Sequence, residues 1–265
     1  MTARRIPRAL SIAGSDSGGG AGIQADLKAF ARCGVHGMTA ITAITAQNTV
    51  GVQAVDAVAP KTIVAQVRAV AEDIGVDAVK IGMLGTATTV DAVVEALGHV
   101  GGAPIVIDPV MVAESGAVLL DDEARRALIE RLLPLTAVAT PNIPEARVLT
   151  GLGAGASQEE LVRRVVALGP KAAVVTGGHS EALVDLFFDG EQLVEISGER
   201  HPNGAAHGSG CTHSSALAAF LAHGEKPLEA ARRARVVASE AVGGGLRGIG
   251  AGPGPVNALG LLFPK

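Results

Sequence analysis

The chain has 265 residues, 48% of them hydrophobic, and a formal net charge of −4. A chain this long can bury roughly three quarters of its unfolded surface, and its slight acid excess argues against a nucleic-acid binder, which would show a basic stripe. Trp and Tyr are absent and only five Phe occur, so the core must come from Ala, Val, Leu and Ile, and no aromatic platform for stacked bases is expected.

In chain order, Ala9–Ala13 reads as a strand and Ala21–Cys33 as a helix closed by Gly34. Met38–Thr45 is β-branched and reads as one strand; Pro60–Asp73 reads as a helix with Pro in its first turn. Ala78–Ile81, Pro104–Val110, Ala137–Thr140 and Ala172–Thr176 read as strands. Helices are expected over Thr88–Leu97, Asp121–Leu133, from Pro144, and over Gln158–Leu168. Leu183–Phe188 and Gln192–Ile196 predict an antiparallel hairpin across Asp189-Gly190, before helices at Thr212–Ala222 and Pro227–Val242. Strands alternating with helices of this length predict βαβ units and a mostly parallel sheet. No linker divides the chain, so residues 1–265 read as one doubly wound α/β domain.

The two cysteines, Cys33 and Cys211, make no disulfide framework and fit a reducing cytoplasm. The apolar run after the basic N-terminus is too short for a signal peptide, and no stretch reaches the ~20 apolar residues that span a bilayer. The expectation is a cytoplasmic protein without a membrane anchor. Arg232-Arg233-Ala234-Arg235 is the densest basic run and reads as a solvated helix face.

In a doubly wound sheet, ligands bind at the carboxyl ends of the strands. There, Gly14 to Gly22 follows the first strand, but it lacks both the dinucleotide fingerprint and the Lys of a P-loop. It is either a tight turn or a place where backbone must approach a flat ligand, with Asp16 and Asp26 nearby. His207-Gly208-Ser209-Gly210-Cys211-Thr212-His213 precedes an apolar helix. Glycines leading into a helix N-terminus present unpaired N–H groups and partial positive charge, an anion site suited to a phosphoryl group. The plain alternative is a turn with Thr212 as N-cap. Cys211 at that end is either a thiol activated toward thiolate or a small buried side chain. Asp108 and Glu145 follow two neighbouring strands and suit Mg²⁺, which takes one or two carboxylates plus phosphates and water; Glu145 equally suits the first turn of a helix. Gln47-Asn48-Thr49 and Lys80-Ile81-Gly82-Met83 could wall a small planar substrate.

These loops, in this order, resemble the hydroxymethylpyrimidine/phosphomethylpyrimidine kinases of the ribokinase superfamily. The segments that carry the resemblance are Gly14-Ser15-Asp16 with Gly18–Asp26, Ala46-Gln47-Asn48-Thr49, Lys80–Leu84 and Asp108-Pro109-Val110-Met111. Ser115-Gly116, Thr140-Pro141-Asn142-x-x-Glu145, Gly177-Gly178-His179, Gly208-Ser209-Gly210-Cys211-Thr212 and Gly252–Asn257 complete the set. The resemblance implies a ribokinase-like three-layer αβα sandwich. It implies two ATP-dependent phosphorylations: of the pyrimidine's hydroxymethyl group, then of the resulting monophosphate, in thiamine synthesis. It further implies that Gly14, Asp26, Gln47, Met83 and Val110 line the pyrimidine pocket. Gly208, Ser209, Gly210 and Cys211 would form the anion hole, Asn142, Thr176 and Gly178 the nucleotide site, and Asp108 and Glu145 the Mg²⁺ site. A homodimer is expected.

Two departures stand out. The family often has Lys where this chain has Thr176, so charge neutralisation should rest more on Mg²⁺ and backbone dipoles. His213 replaces a usually apolar residue; it is read as a capping-turn residue, with a second proton-transfer group as the alternative. A pyridoxal kinase on the same fold and a catalytically idle ligand-binding relative are the rival functions.

Overall fold

The computed structural model describes residues 5–111, 119–177, 183–202 and 204–261. Strand β1 (Arg8–Ala13) leads through a glycine loop into α1 (Gly22–Arg32), and β2 (His36–Ile41) returns beside it. Gly34, at φ +73°, turns the chain after α1, where its missing Cβ permits the left-handed backbone. The predicted strand 38–45 is in fact two. The chain leaves the main sheet at Thr42, whose N–H donates to the Ala13 carbonyl and whose hydroxyl donates to the Met83 carbonyl. It continues as β3 (Ala43–Asn48), paired only with β4 (Gly51–Ala57) in an antiparallel ribbon.

The remaining elements are α2 (Pro60–Asp73), β5 (Ala78–Ile81), α3 (Ala87–Ala96), β6 (Ile105–Ile107), α4 (Asp122–Ala127) and β7 (Val138–Ala139). Then come α5 (Ile143–Thr150), α6 (Gln158–Val166), β8 (Ala172–Val175), the hairpin β9 (Val184–Phe188) and β10 (Leu193–Ser197), α7 (Ser209–Ala222) and α8 (Pro227–Gly243). The helix expected over 121–133 keeps its Asp121 cap but relaxes into a π-turn at Leu128–Leu132 and a 3₁₀ turn ahead of Thr136.

The main sheet runs β10-β9-β8-β7-β6-β5-β1-β2; it is parallel from β8 to β2, and the terminal hairpin is antiparallel. Side chains alternate across it. Leu10, Ile12, Val79, Ile81, Ile105 and Ile107 pack under α2 to α6. Ala9, Ala78, Val106, Val138, Ala172 and Val174 face α1, α7 and α8. The second face is built from small residues, so helices approach it closely. Helix α7 is buried continuously from Thr212 to Leu221, as an all-round apolar helix must be. Ser11 and Lys80 point to this same face and are fully buried. The layers are those of the αβα sandwich that the resemblance implied. Among the described residues no helix is long and apolar enough to cross a membrane.

Candidate active site

Helix α7 begins three residues earlier than the apolar pattern indicates. Its N-cap is Gly208, at φ +86°, and Ser209, Gly210 and Cys211 form its first turn. A Cβ at Gly208 would collide with the Gly20 carbonyl oxygen, so the glycine serves both the left-handed backbone and a close contact with the first loop. Thr212 N–H donates to the Gly208 carbonyl, and Ser209 N–H donates to the Ala206 carbonyl. That removes Ser209's amide from the predicted anion hole. Among the described residues no carbonyl accepts from Gly210 or Cys211 N–H, leaving these two for an incoming anion.

This turn lies where two cavities meet. The first, of about 260 Å³, is lined by Gly14, Gln47, Met83, Asp108, Val110 and Glu145, with Lys80 and Cys211 on its floor. The second, of about 300 Å³, runs between the β9 strand start and α8 past Leu183, Asp185, Arg200, His201, Arg235 and Val242. Asn142, Thr176, Ala206, Ser209, Gly210 and His213 line both. Of the predicted site residues, Gly178 lies outside the described residues, as do Ser115, Gly116 and His179. A Cβ at Gly14 would strike the Met83 methyl group, so those two residues set the cavity's width together.

Asp26 does not reach the cavity. It is fully buried beneath it, and Lys80 Nζ donates to both its oxygens at 2.8 and 3.0 Å. Ser11 and Ser215 hydroxyls donate to it as well, at 2.6 and 2.7 Å. The charge that faces the cavity is therefore Lys80. Burial disfavours its ammonium, but Asp26 first, then Cys211 and Asp108, outweigh burial and hold its pKa above the usual value. Its signal was a lone Lys in an otherwise apolar buried strand. Asp16 lines the cavity, but the glycine loop takes up its carboxylate. Its carboxylate accepts from Gly18, Gly20 and Ala21 N–H and lies 3.2 Å from His207 Nε2, tying the first loop to the anion turn. Burial pushes the Asp16 pKa up; the His207 hydrogen bond and the loop amides outweigh it and bring it below the usual value.

Of the two readings the sequence leaves open for Cys211, its surroundings favour the thiol that is not activated. Burial pushes its pKa up to about 12, against the opposing pull of Lys80. The sulfur accepts a hydrogen bond from Gly22 N–H and stays a thiol. Asp108, nearly fully buried, accepts from the Ser214 hydroxyl at 3.2 Å. A Cβ on Gly210 would stand 3.6 Å from its Oδ2, so this carboxylate sits against the anion turn. Burial raises the Asp108 pKa while Lys80 and Ser214 oppose it. Glu145 closes a capping box with Asn142, each accepting the other's N–H. Burial, then the Asp108 charge, pushes its pKa up to about 8. Two carboxylates lining one cavity, the charge of Asp108 disfavouring that of Glu145, fit a hard divalent cation. Among the described residues no group of three or more His, Cys, Asp or Glu forms a protein-only cage.

His213 is not a capping-turn residue. It is 5% exposed, one turn into α7, with Nε2 4.0 Å from Asp185 Oδ2. Burial, aided by Arg235 and opposed by Asp185, lowers its pKa and keeps the ring neutral near pH 7. Arg235 likewise leaves the expected solvated face. Its Nη2 donates to the Leu183 carbonyl and its Nε lies 3.6 Å from Asp185 Oδ2. Arg232 and Arg233 stay outside, paired with Glu229 and Glu225.

The family profile described as phosphomethylpyrimidine kinase matches residues 16–257. The hydroxymethylpyrimidine/phosphomethylpyrimidine kinase of Rhizobium meliloti is 48% identical over 94% of this chain and 96% of its own. The phosphomethylpyrimidine kinase structure from Clostridium difficile superposes with a TM-score of 0.79 at 41% identity, covering 90% of this chain and 100% of that one. The pyridoxal kinase of Staphylococcus aureus, solved with pyridoxal and with ADP, superposes with a TM-score of 0.88 at 31% and 32% identity, over 97% of this chain and 94% of that one. With the profile spanning nearly the whole sequence and both cavities sharing one helix N-terminus, the chain belongs to the phosphomethylpyrimidine kinase family.

Proposed function

We propose that this chain transfers the γ-phosphoryl group of ATP to the hydroxymethyl oxygen of 4-amino-5-hydroxymethyl-2-methylpyrimidine, and then a second phosphoryl group to the monophosphate, in thiamine diphosphate synthesis. The observation that carries this is the junction itself: an acceptor-sized cavity and a slightly larger one with Asp185, Arg200, His201 and Arg235 on its wall meet at the turn that leaves the Gly210 and Cys211 amides free. The pyrimidine occupies the first cavity, between Gly14 and Met83, Gln47 and Val110. The nucleotide occupies the second, with its terminal phosphate at the junction beside Asn142 and Thr176.

In the transfer, the substrate oxygen bonds to the γ-phosphorus as the bond to the bridging oxygen breaks and that oxygen leaves with ADP, while the hydroxyl proton is lost to the transferred phosphoryl group and from there to solvent. The transition state of such a transfer is loose, so positioning and electrostatics supply most of the rate. The Gly210 and Cys211 amides stabilise charge on the transferring oxygens. Lys80 adds a fixed positive charge under the reacting oxygen. Cys211, held as a thiol, positions the hydroxyl rather than removing its proton. Asp108 and Glu145 would hold Mg²⁺, which would neutralise phosphate charge when bound. The role of the missing Lys at Thr176 passes to that ion and to the cationic wall of the second cavity. Residues 1–265 act as one kinase domain, and the protein works as a cytoplasmic homodimer.

Coupled detection of ADP release with hydroxymethylpyrimidine and ATP tests the reading; no release above the substrate-free rate would refute it. Pyridoxal is a second acceptor worth measuring, since the pyridoxal kinase superposes over nearly the full chain. Higher kcat/KM for hydroxymethylpyrimidine than for pyridoxal is expected.

A further inference from the structure

Three buried polar atoms under the second cavity have no hydrogen-bond partner: Asp185 Oδ2, Arg235 Nε and His213 Nε2. Asp185 is fully buried and His213 is 5% exposed, and all three residues line that cavity. An unpaired polar atom in such a place is costly, so three together call for a ligand. The separations, 3.6 Å from Arg235 Nε to Asp185 Oδ2 and 4.0 Å from His213 Nε2 to the same oxygen, are too long for direct hydrogen bonds. Each is short enough for one oxygen atom to lie about 2.8 Å from both atoms of that pair.

The chemistry of the three atoms selects that oxygen. The carboxylate repels a phosphate, and the guanidinium repels a bare cation. A carbonyl has no proton for Asp185, and an ammonium has no lone pair for Arg235. A hydroxyl has one proton to donate and two lone pairs to accept with, which is the set offered here. The other oxygen of Asp185 already accepts from Gly177 N–H at 2.9 Å, and Arg235 Nη2 is held by the Leu183 carbonyl, so the trio is pre-positioned. A nucleotide carries hydroxyls only on its ribose.

We infer that Asp185, Arg235 and His213 form a ribose-hydroxyl subsite, in which the hydroxyl donates to Asp185 Oδ2 and accepts from Arg235 Nε–H and His213 Nε2–H. This rests on the nucleotide occupying the second cavity. The subsite makes His213 a nucleotide-selecting group of this chain.

The test is calorimetric binding of ADP, 2′-deoxy-ADP and 3′-deoxy-ADP to the unchanged chain, His213→Leu and His213→Gln. One deoxy analogue should bind the unchanged chain about tenfold or more weakly, the fold-change expected for losing a hydrogen bond to a charged group. In His213→Leu that gap should narrow to under about threefold, through weaker ADP binding. His213→Gln, which keeps an N–H donor, should retain part of it and serves if the Leu variant does not fold. Equal affinity of all three nucleotides for the unchanged chain would overturn the subsite in favour of a bridging water. A gap that persists undiminished in both variants would remove His213 from it. Absence of any ADP binding is a separate outcome: it would overturn the placement of the nucleotide itself.

Discussion

Two buried carboxylates sit under the two cavities, and they are treated in opposite ways. Asp26, under the acceptor cavity, has both oxygens saturated by Lys80, Ser11 and Ser215. Asp185, under the second cavity, has one oxygen bonded to Gly177 and the other flanked by the Arg235 guanidinium and the His213 ring, neither within hydrogen-bond reach. A saturated cluster in a low-dielectric interior is rigid and specifies one geometry. A cluster left one atom short is receptive. The first cavity therefore has a floor set during folding, and the second a floor completed on binding.

The sharpest way to break this contrast is Lys80→Met. It leaves the Asp26 carboxylate buried without its cation, and loss of one partner of such a pair costs about 3–5 kcal/mol. Denaturant unfolding should show that loss. Asp185→Asn should lose far less stability, on the order of 1 kcal/mol, with the damage appearing in nucleotide affinity. Equal losses at the two sites would erase the distinction.

Next in size is Gly208→Ala, which meets both the Gly20 carbonyl and a left-handed backbone. The strain alone is about 1–2 kcal/mol, and the displaced amides should lower kcat by roughly 100-fold, in line with loss of a preorganised donor. Steady-state kinetics would show kcat falling further than KM for the pyrimidine rises.

Cys211→Ala should be milder: about tenfold in kcat, with KM for ATP unchanged, because a thiol orients rather than deprotonates. Its pKa near 12 makes the thiolate scarce until far above neutrality. The pH–rate profile should consequently show no thiol limb between about pH 7 and 9, and the Ala variant should have the same profile shape. A limb near pH 8 that disappears in Cys211→Ala would restore the thiolate base.

The smallest effect concerns the loop clasp. Asp16 has a folded pKa below its ordinary value of 3.8, so its contribution to stability is present above that value and fades as pH falls through the folded one. Thermal unfolding of Asp16→Asn should lag the unchanged chain at pH 7 and converge on it in strong acid.

Much of the sheet could be read directly, because buried parallel strands are short apolar runs and Pro60–Asp73 and Ala78–Ile81 carry clear ends. The ribbon strand β4 could not. Five of its seven residues are exposed, leaving no buried stripe to recognise. Nor does anything local mark Thr42 as the exit from the sheet; that exit is made by the carbonyls of Ala13 and Met83. In the site, the glycines, Asp108, Met83 and Val110 stand where the loops suggested. Asp26 and Lys80 are 54 residues apart, and which of them faces the substrate is decided by tertiary packing alone. For Cys211 the sequence leaves two readings open, because a helix N-terminus favours thiolate while burial, the larger influence here, depends on packing. Arg235 looked solvated because a charge run reveals nothing of the cavity its helix borders.

The most direct measurement is a crystal structure with hydroxymethylpyrimidine and a non-hydrolysable ATP analogue bound together. The hydroxymethyl oxygen should lie in the Gly14–Met83 cavity, about 3–3.5 Å from the terminal phosphorus, with that phosphate on the Gly210 and Cys211 amides. A terminal phosphate seated away from the start of α7, or a pyrimidine beside Arg235 and His201, would contradict it.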